Sequence, residues 1–283
     1  MIPTPIIVDI SEHQKPSNIN YDLFAKNVAG VIVRVQYGSL YEDIHYKTHI
    51  SELKKRGVPV AVYAWVRGTS LSDMETEATD FYNRAKQFNP NFWWLDVEER
   101  SMVDMRNGCE RFRAKLKSLG AKKVGCYVAN HLYSTFNLDT SKFDAIWIPT
   151  YGVNNGQYNG SNPTATSNYQ LHQYTSEGRI QGYGYSLDLN RIVNTSFEFL
   201  FESKANEGSE KELATINTAV DGVILRKTPS VSGEVIAKLP KNSQIIISNI
   251  VNADGFLWGV QNRSDGSKGY VDFGKSVSWV NIK

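Results

Sequence analysis

The stretch FWWLDVEER, residues 92–100, runs four large apolar residues straight into two carboxylates, Asp96 and Glu98. A short apolar run opened by a Pro-Asn turn is the pattern of a buried strand. Burying an unpaired charge is costly, so carboxylates at its end are paired, exposed at an edge, or used. Residues two apart on a strand point the same way. Trp94, Asp96 and Glu98 therefore share one face, and the fold must say what that face meets.

Working outward, similar runs recur with helical stretches between them. IIVDI (residues 6–10), GVIVRVQ (30–36) and VPVAVYAW (58–65) read as strands before the central one. A helix over 48–56 stops at Gly57. Ser72, three before Glu75, has capping-box spacing. Met74, Ala78, Phe81, Ala85 and Phe88 then form one apolar helical face that Asn89-Pro90 ends. A further helix over 108–119 stops at Gly120. Strands follow at 123–128, 145–149, 169–174 and 186–192, the last ones joined by loops. Eight strands that alternate at first with helices predict an α/β fold. It is a shortened TIM-like barrel with a parallel sheet.

In such a barrel the active site lies at the C-terminal ends of the strands. Asp96 and Glu98 end the fourth strand and Asp9 ends the first. Asp188 lies in the eighth, which closure brings beside the first. Four carboxylates at one mouth suit glycosidic cleavage. One must hold a proton for the leaving oxygen, while another stays ionised beside the oxocarbenium-like centre. Crowding raises the pKa of at least one of them. Glu98, with the longer arm, is the candidate acid, and Asp96 the support for charge on the sugar. The alternative is structural: an Asp-x-Glu pair also serves as a helix cap or as partner to Arg34 or Arg100.

The chain has 283 residues, 41% of them hydrophobic, enough for a barrel and a small module. Its net charge of +2 and lack of a basic run argue against nucleic acid as a partner. No P-loop, dinucleotide fingerprint or zinc-site pattern is present, so no cofactor and no metal is expected. His45 and His49 read as a solvated helix face. His172 either lines the mouth or packs, and Cys109 and Cys126 read as reduced thiols. The N-terminus has no basic n-region and no apolar run is long enough to span a bilayer, so neither a signal peptide nor membrane insertion is expected.

After Phe201 the composition shifts. Residues 1–201 form the expected catalytic barrel, 202–212 (ESKANEGSEKE) a charged linker, and 213–283 an all-β domain with Asp-Gly and Ser-Gly turns. Eight Lys and Arg against five Asp and Glu give that last part a net charge of +3.

The ordered stretches VDISEHQ (8–14), VPVAVYAW, WLDVEE, IWIPTYG (146–152), LHQYTSEGRIQGYG (171–184) and SLDLNRI (186–192) resemble the lysozymes of glycoside hydrolase family 25, the muramidase type of phage endolysins and bacterial autolysins. The resemblance implies five strand-helix units followed by three strands. It implies hydrolysis of the β-1,4 bond between N-acetylmuramic acid and N-acetylglucosamine in peptidoglycan. It maps the acid onto Glu98, its partner onto Asp96, and supporting acids onto Asp9 and Asp188. Family members are thought to retain configuration, with the substrate's acetamido group as nucleophile. Tyr63, Trp65, Trp94, Tyr151 and Gln173 are candidate substrate-binding residues. The chain departs from the family at Trp65, where Phe is common, and at Gln36-Tyr37-Gly38, where an acid is common. Residues 225–230 (LRKTPS) and the segments after them resemble a bacterial SH3 domain, which implies binding to cell-wall peptide or polymer. Trp258 and Tyr270 are candidates for its groove and equally for its core. A lytic module without a signal peptide is expected to wait in a host cytoplasm until a membrane pore releases it. Two other readings stay open: an N-acetylglucosaminidase or chitinase-like hydrolase, and a non-enzymatic wall binder.

Overall fold

The computed structural model describes residues 1–201, 214–263 and 267–275. The chain divides into two compact units, Met1–Ser203 and Lys204–Lys283. The expected linker over 202–212 lies outside the described residues.

In the first unit, β1 (Ile7–Ile10), α1 (Tyr21–Phe24), β2 (Gly30–Tyr37) and the two-residue β3 (Tyr41–Glu42) lead into α2 (Tyr46–Lys55) and β4 (Val60–Trp65). Then follow α3 (Leu71–Ala85), β5 (Trp93–Val97), α4 (Met105–Leu119), β6 (Val124–Val128), α5 (Tyr133–Phe136), β7 (Ile146–Pro149), β8 (Leu171–Gly178), β9 (Leu187–Ile192) and α6 (Phe197–Phe201). The sheet order β1-β9-β8-β7-β6-β5-β4-β2, closed by β1 pairing with β2, is an eight-stranded barrel, with β3 appended to β2. Five strand-helix units precede three strands, as the resemblance implied.

One strand departs from the parallel expectation. β9 runs antiparallel to both β8 and β1, because the short turn after β8 allows a hairpin where a parallel crossover needs a dozen or more residues. The reversal brings the start of β9, with Asp188, level with Asp9 near the end of β1.

Alternation along the strands sorts two cores. Trp93, Leu95 and Val97 of β5 pack outward against the helices, with Met74, Ala78 and Phe81 of α3 and Phe112 and Leu116 of α4. Trp94 packs inward with Ile7, Ile32, Ala61, Phe92, Trp147 and Phe201. Gly125 of β6 leaves room for this filling: a Cβ there would stand 2.3 Å from the Trp94 ring. Helix α6, which the sequence reading left unassigned, contributes Leu200 and Phe201 to the interior, and Phe201 lies 2.7 Å from where a Gly30 Cβ would be.

Two local expectations need correction. The cap of α3 is Ser70, which accepts from the Asp73 N–H, rather than Ser72. His49 is not on a solvated face: it is 0% exposed, with Nδ1 2.7 Å from the Tyr21 hydroxyl. The helix turns that side chain toward the barrel wall, where burial holds its pKa down to about 4, in the neutral form. His172 packs: Nε2 donates to the Thr150 carbonyl at 2.8 Å while Nδ1 accepts from Arg191 at 2.9 Å. Cys109 and Cys126 are buried free thiols. Among the described residues no helix is long and apolar enough to cross a membrane.

The second unit is antiparallel throughout its described pairings. It comprises β10 (Ala214–Asn217), β11 (Val223–Arg226), β12 (Val235–Leu239), β13 (Gln244–Ile247), β14 (Asn249–Ala253), β15 (Phe256–Asn262) and β16 (Lys268–Lys275). β10 pairs with β13, and β12-β11-β16-β15-β14 form a five-stranded sheet. Leu225, Ile245, Ile247 and Val271 are its core. Trp258 is 0% exposed and donates its indole N–H to the Ala253 carbonyl at 3.0 Å. Of its two sequence readings the structure takes the core one, because a sheet this small needs its largest ring inside. Tyr270 on β16 is half-buried.

Candidate active site

The strands deliver their inward side chains to the mouth in the order the chain dictates. On β1, Ile7 fills the interior and Asp9, two further on, reaches the top. On β5 the same step carries Trp94 to Asp96, and Glu98 follows just past the strand. A cavity of about 240 Å³ opens there, lined by Asp9, Asp96, Glu98 and Asp188 together with Arg34, Tyr63, Trp65, Tyr127, Trp147, Tyr151 and Gln173. The four acids named from sequence thus meet in one place.

Asp9 is held by amides. Asn190 Nδ2 donates to it at 2.7 Å and Gln173 Nε2 at 3.1 Å. Gln173 is fixed in turn, its Oε1 accepting from Tyr127 at 3.0 Å and Tyr151 at 2.7 Å. This chain of donors stabilises the ionised form, but burial outweighs it and pushes the Asp9 pKa up to about 6. Asp188 stands opposite Asp9 in register. Burial, then the charges of Asp9, Glu98 and Glu177, raise it to about 8.

Asp96 is 4% exposed and its Oδ1 has no hydrogen-bond partner. Burial first, then the charges of Glu98 and Asp9, hold its pKa well above the ordinary carboxylate range. Glu98 is less buried and also raised, again by burial first. The two carboxyls line the same cavity, and the Glu98 charge disfavours ionisation of Asp96. Neither arginine proposed as a partner takes that role. Arg34 is bound by Asp43 at 2.9 Å and Glu12 at 3.5 Å, and Arg100 lies over the Phe136 ring at 5.1 Å. Burial and crowding thus favour the protonated form at this pair, the condition a general acid requires.

Of the residues expected to bind substrate, Tyr63, Trp65, Tyr151 and Gln173 line the cavity. Trp94 does not. It shares the face of Asp96 and Glu98, as alternation demands, but lies one step deeper, 1% exposed, stacked on Phe92 at 4.5 Å and edge-on to Trp147 at 5.5 Å. Trp147 takes the floor position instead. Arg34, Tyr127, Trp147 and Asn190 went unnamed as site residues in the sequence reading. The signal was available for two of them: Tyr127 falls on the inward parity of β6, and Asn190 lies two residues from Asp188. Among the described residues no group of His, Cys, Asp and Glu has the arrangement of a metal site.

The sequence profile of glycosyl hydrolases family 25 matches residues 8–183. No curated protein matches the chain. Among solved structures, GHIP, a glycosyl hydrolase 25 of Streptococcus pneumoniae described as a virulence factor in host cell invasion, is 44% identical. The match covers 70% of this chain and 93% of that one, with a TM-score of 0.67. The catalytic domain of endolysin ply40 from bacteriophage P40 of Listeria monocytogenes is 30% identical over 67% and 93% of the two chains, with a TM-score of 0.62. The modular autolysin LytC of Streptococcus pneumoniae, solved with a synthetic peptidoglycan ligand, is 25% identical over 66% and 46%, with a TM-score of 0.54. The profile spans most of the barrel, acid-bearing strands β1 and β5 included, and with the GHIP and ply40 matches it establishes that the chain belongs to glycosyl hydrolases family 25.

Proposed function

We propose that this chain is a peptidoglycan muramidase, cleaving the β-1,4 bond between N-acetylmuramic acid and N-acetylglucosamine. The observation that carries the reading is the gathering of Asp9, Asp96, Glu98 and Asp188 around one cavity at the barrel mouth. Glu98 gives its proton to the leaving glycosidic oxygen as the C1–O bond breaks. The family resemblance favours attack by the sugar's own acetamido oxygen on C1, with Asp96 orienting that group. Water then adds to C1 as the bond to the acetamido oxygen breaks, returns a proton to Glu98 and restores the starting configuration. Asp9 and Asp188 set the field around the pair.

The relatives support the substrate: LytC was solved with a peptidoglycan ligand, and ply40 is a phage endolysin. We infer an endolysin role, with the enzyme held in a host cytoplasm until a pore admits it to the wall. We also infer that the second unit, bacterial SH3-like, binds wall peptide or polymer; its net positive charge suits an anionic wall.

The test is to digest purified Gram-positive walls, reduce the products with borohydride and identify the reduced sugar by mass spectrometry. Reduced muramic acid is expected. Reduced glucosamine would point to a glucosaminidase, and no new reducing ends to a binder; either result overturns the reading. In the same assay Glu98→Gln is expected to bind walls without cleaving them.

A further inference from the structure

A register irregularity in β2 shapes the surroundings of Trp65, which lines the cavity. Along β2, Ile32 and Arg34 face inward, and simple alternation would send Gln36 inward and Tyr37 out to the helices. The register against β4 shifts between Arg34 and Gln36, so that Gln36 stands beside Ala64 and Tyr37 beside Trp65. A bulge reverses the parity of everything after it. Gln36 accordingly turns out to α3, donating to the Glu77 carbonyl at 3.0 Å and accepting from Arg84 at 2.7 Å. Tyr37 turns in to meet Trp65, ring centroids 5.2 Å apart.

The Trp65 ring is bound to Glu99, the residue after the candidate acid. Glu99 Oε1 accepts from the Trp65 indole N–H at 3.0 Å and from Arg67 Nε at 3.0 Å. The Arg67 guanidinium lies over the Tyr37 ring at 4.6 Å, which closes the circuit Glu99–Trp65–Tyr37–Arg67. The backbone beneath is pinned too. The Arg67 N–H donates to the buried Glu77 carboxylate at 3.1 Å, and Ser101 donates to the Gly68 carbonyl at 2.8 Å. An exposed ion pair such as Arg67–Glu99 adds little to folding stability. Its visible consequence is a fixed indole at the cavity edge.

We propose that Glu99 is a positioning residue acting through Trp65: it holds the indole, backed by Tyr37 and Arg67, as the face on which one sugar ring of the glycan stacks beside Asp96 and Glu98. The proposal deepens the reading of this site as a glycan hydrolase. Stacking needs an aromatic face held flat, and a free indole would turn among its rotamers. Glu99 removes that freedom before substrate arrives, so its contribution appears in binding and only weakly in chemistry.

The test measures binding apart from cleavage. In a Glu98→Gln background, affinity for soluble disaccharide-repeat peptidoglycan fragments is followed by calorimetry. Glu99→Ala is expected to weaken affinity about tenfold and Trp65→Ala by a similar factor, with the double variant no worse than Trp65→Ala alone. Glu99→Gln keeps the accepting oxygen and is expected to restore affinity to within about threefold of the parent. In chains retaining Glu98, Glu99→Ala is expected to raise KM with kcat nearly unchanged. Additive losses, or full affinity in Glu99→Ala, would overturn the proposal. A wrong assignment of the cleaved bond shows only in the reduced-sugar assay, so the two readings fail separately.

Discussion

The two ends of the barrel interior are built from opposite chemistry. The closed end is packed with Phe92, Trp94, Leu200 and Phe201, the last two brought by α6. The open end holds Asp9, Asp96, Glu98 and Asp188 around a cavity floored by Trp147. Both ends are supplied by the same strands, a few residues apart. The difference shows why the acids resist ionisation. An aromatic filling beneath the floor keeps water away from one side of the carboxylates, and burial is the first cause of the raised pKa in all four. The sealed end thus tunes the reactive one.

The largest break in this comparison is expected at the open end. Glu98→Gln removes the proton donor and keeps the shape, so wall cleavage should fall about a thousandfold, within the range for loss of a general acid. Turbidity clearing of purified walls reads it, and cleavage within tenfold of wild type would remove Glu98 from the acid role.

A break at the closed end should cost stability. Trp94→Ala leaves a void between Phe92 and Trp147, and a buried aromatic truncated to Ala costs about 3–5 kcal/mol. Chemical denaturation followed by tryptophan fluorescence measures it. A loss under about 1 kcal/mol would mean that the filling collapses around the void and is not the rigid seal described here.

The smallest effect sharpens the link between the ends. Asp188 and Asp9 titrate near 8 and 6 in the folded chain, above the ordinary range near 4. The folded state holds protons that the unfolded state releases. Their contribution to stability is therefore complete below about pH 4 and is lost as pH rises through about 6 and about 8. Asp188→Asn should abolish part of that decline. Its Tm should match wild type near pH 4 and exceed it near pH 8, by an amount on the order of 1 kcal/mol in stability. A Tm difference that shrinks with rising pH would contradict the raised pKa.

Much of this site was legible in the sequence. FWWLDVEER announced a buried strand ending in two acids on one face, because strand parity is a local property. Asp9 followed from the same rule on the first strand. Asp188 was placed correctly at the mouth, though the route differed: β9 is antiparallel, so its start and not its end lies at the top. Depth was harder to read. Trp94 has the right parity and the wrong level, and only the packed neighbours show that Trp147 is the floor. His49 looked solvated because helical spacing gives a face but not what covers it. Tyr37 was out of reach altogether, since one register irregularity in β2 reverses its side.

Strand positions, their inward parity up to the irregularity in β2, the barrel class and the four acids were determined by the order of residues alone, since alternation and chain stops act over a few neighbours. Closure through an antiparallel last strand, the plug supplied by α6, and the Tyr37–Trp65–Glu99–Arg67 circuit were decided only in the tertiary structure. Each depends on segments far apart in sequence whose fit against one another sets register, depth and cover.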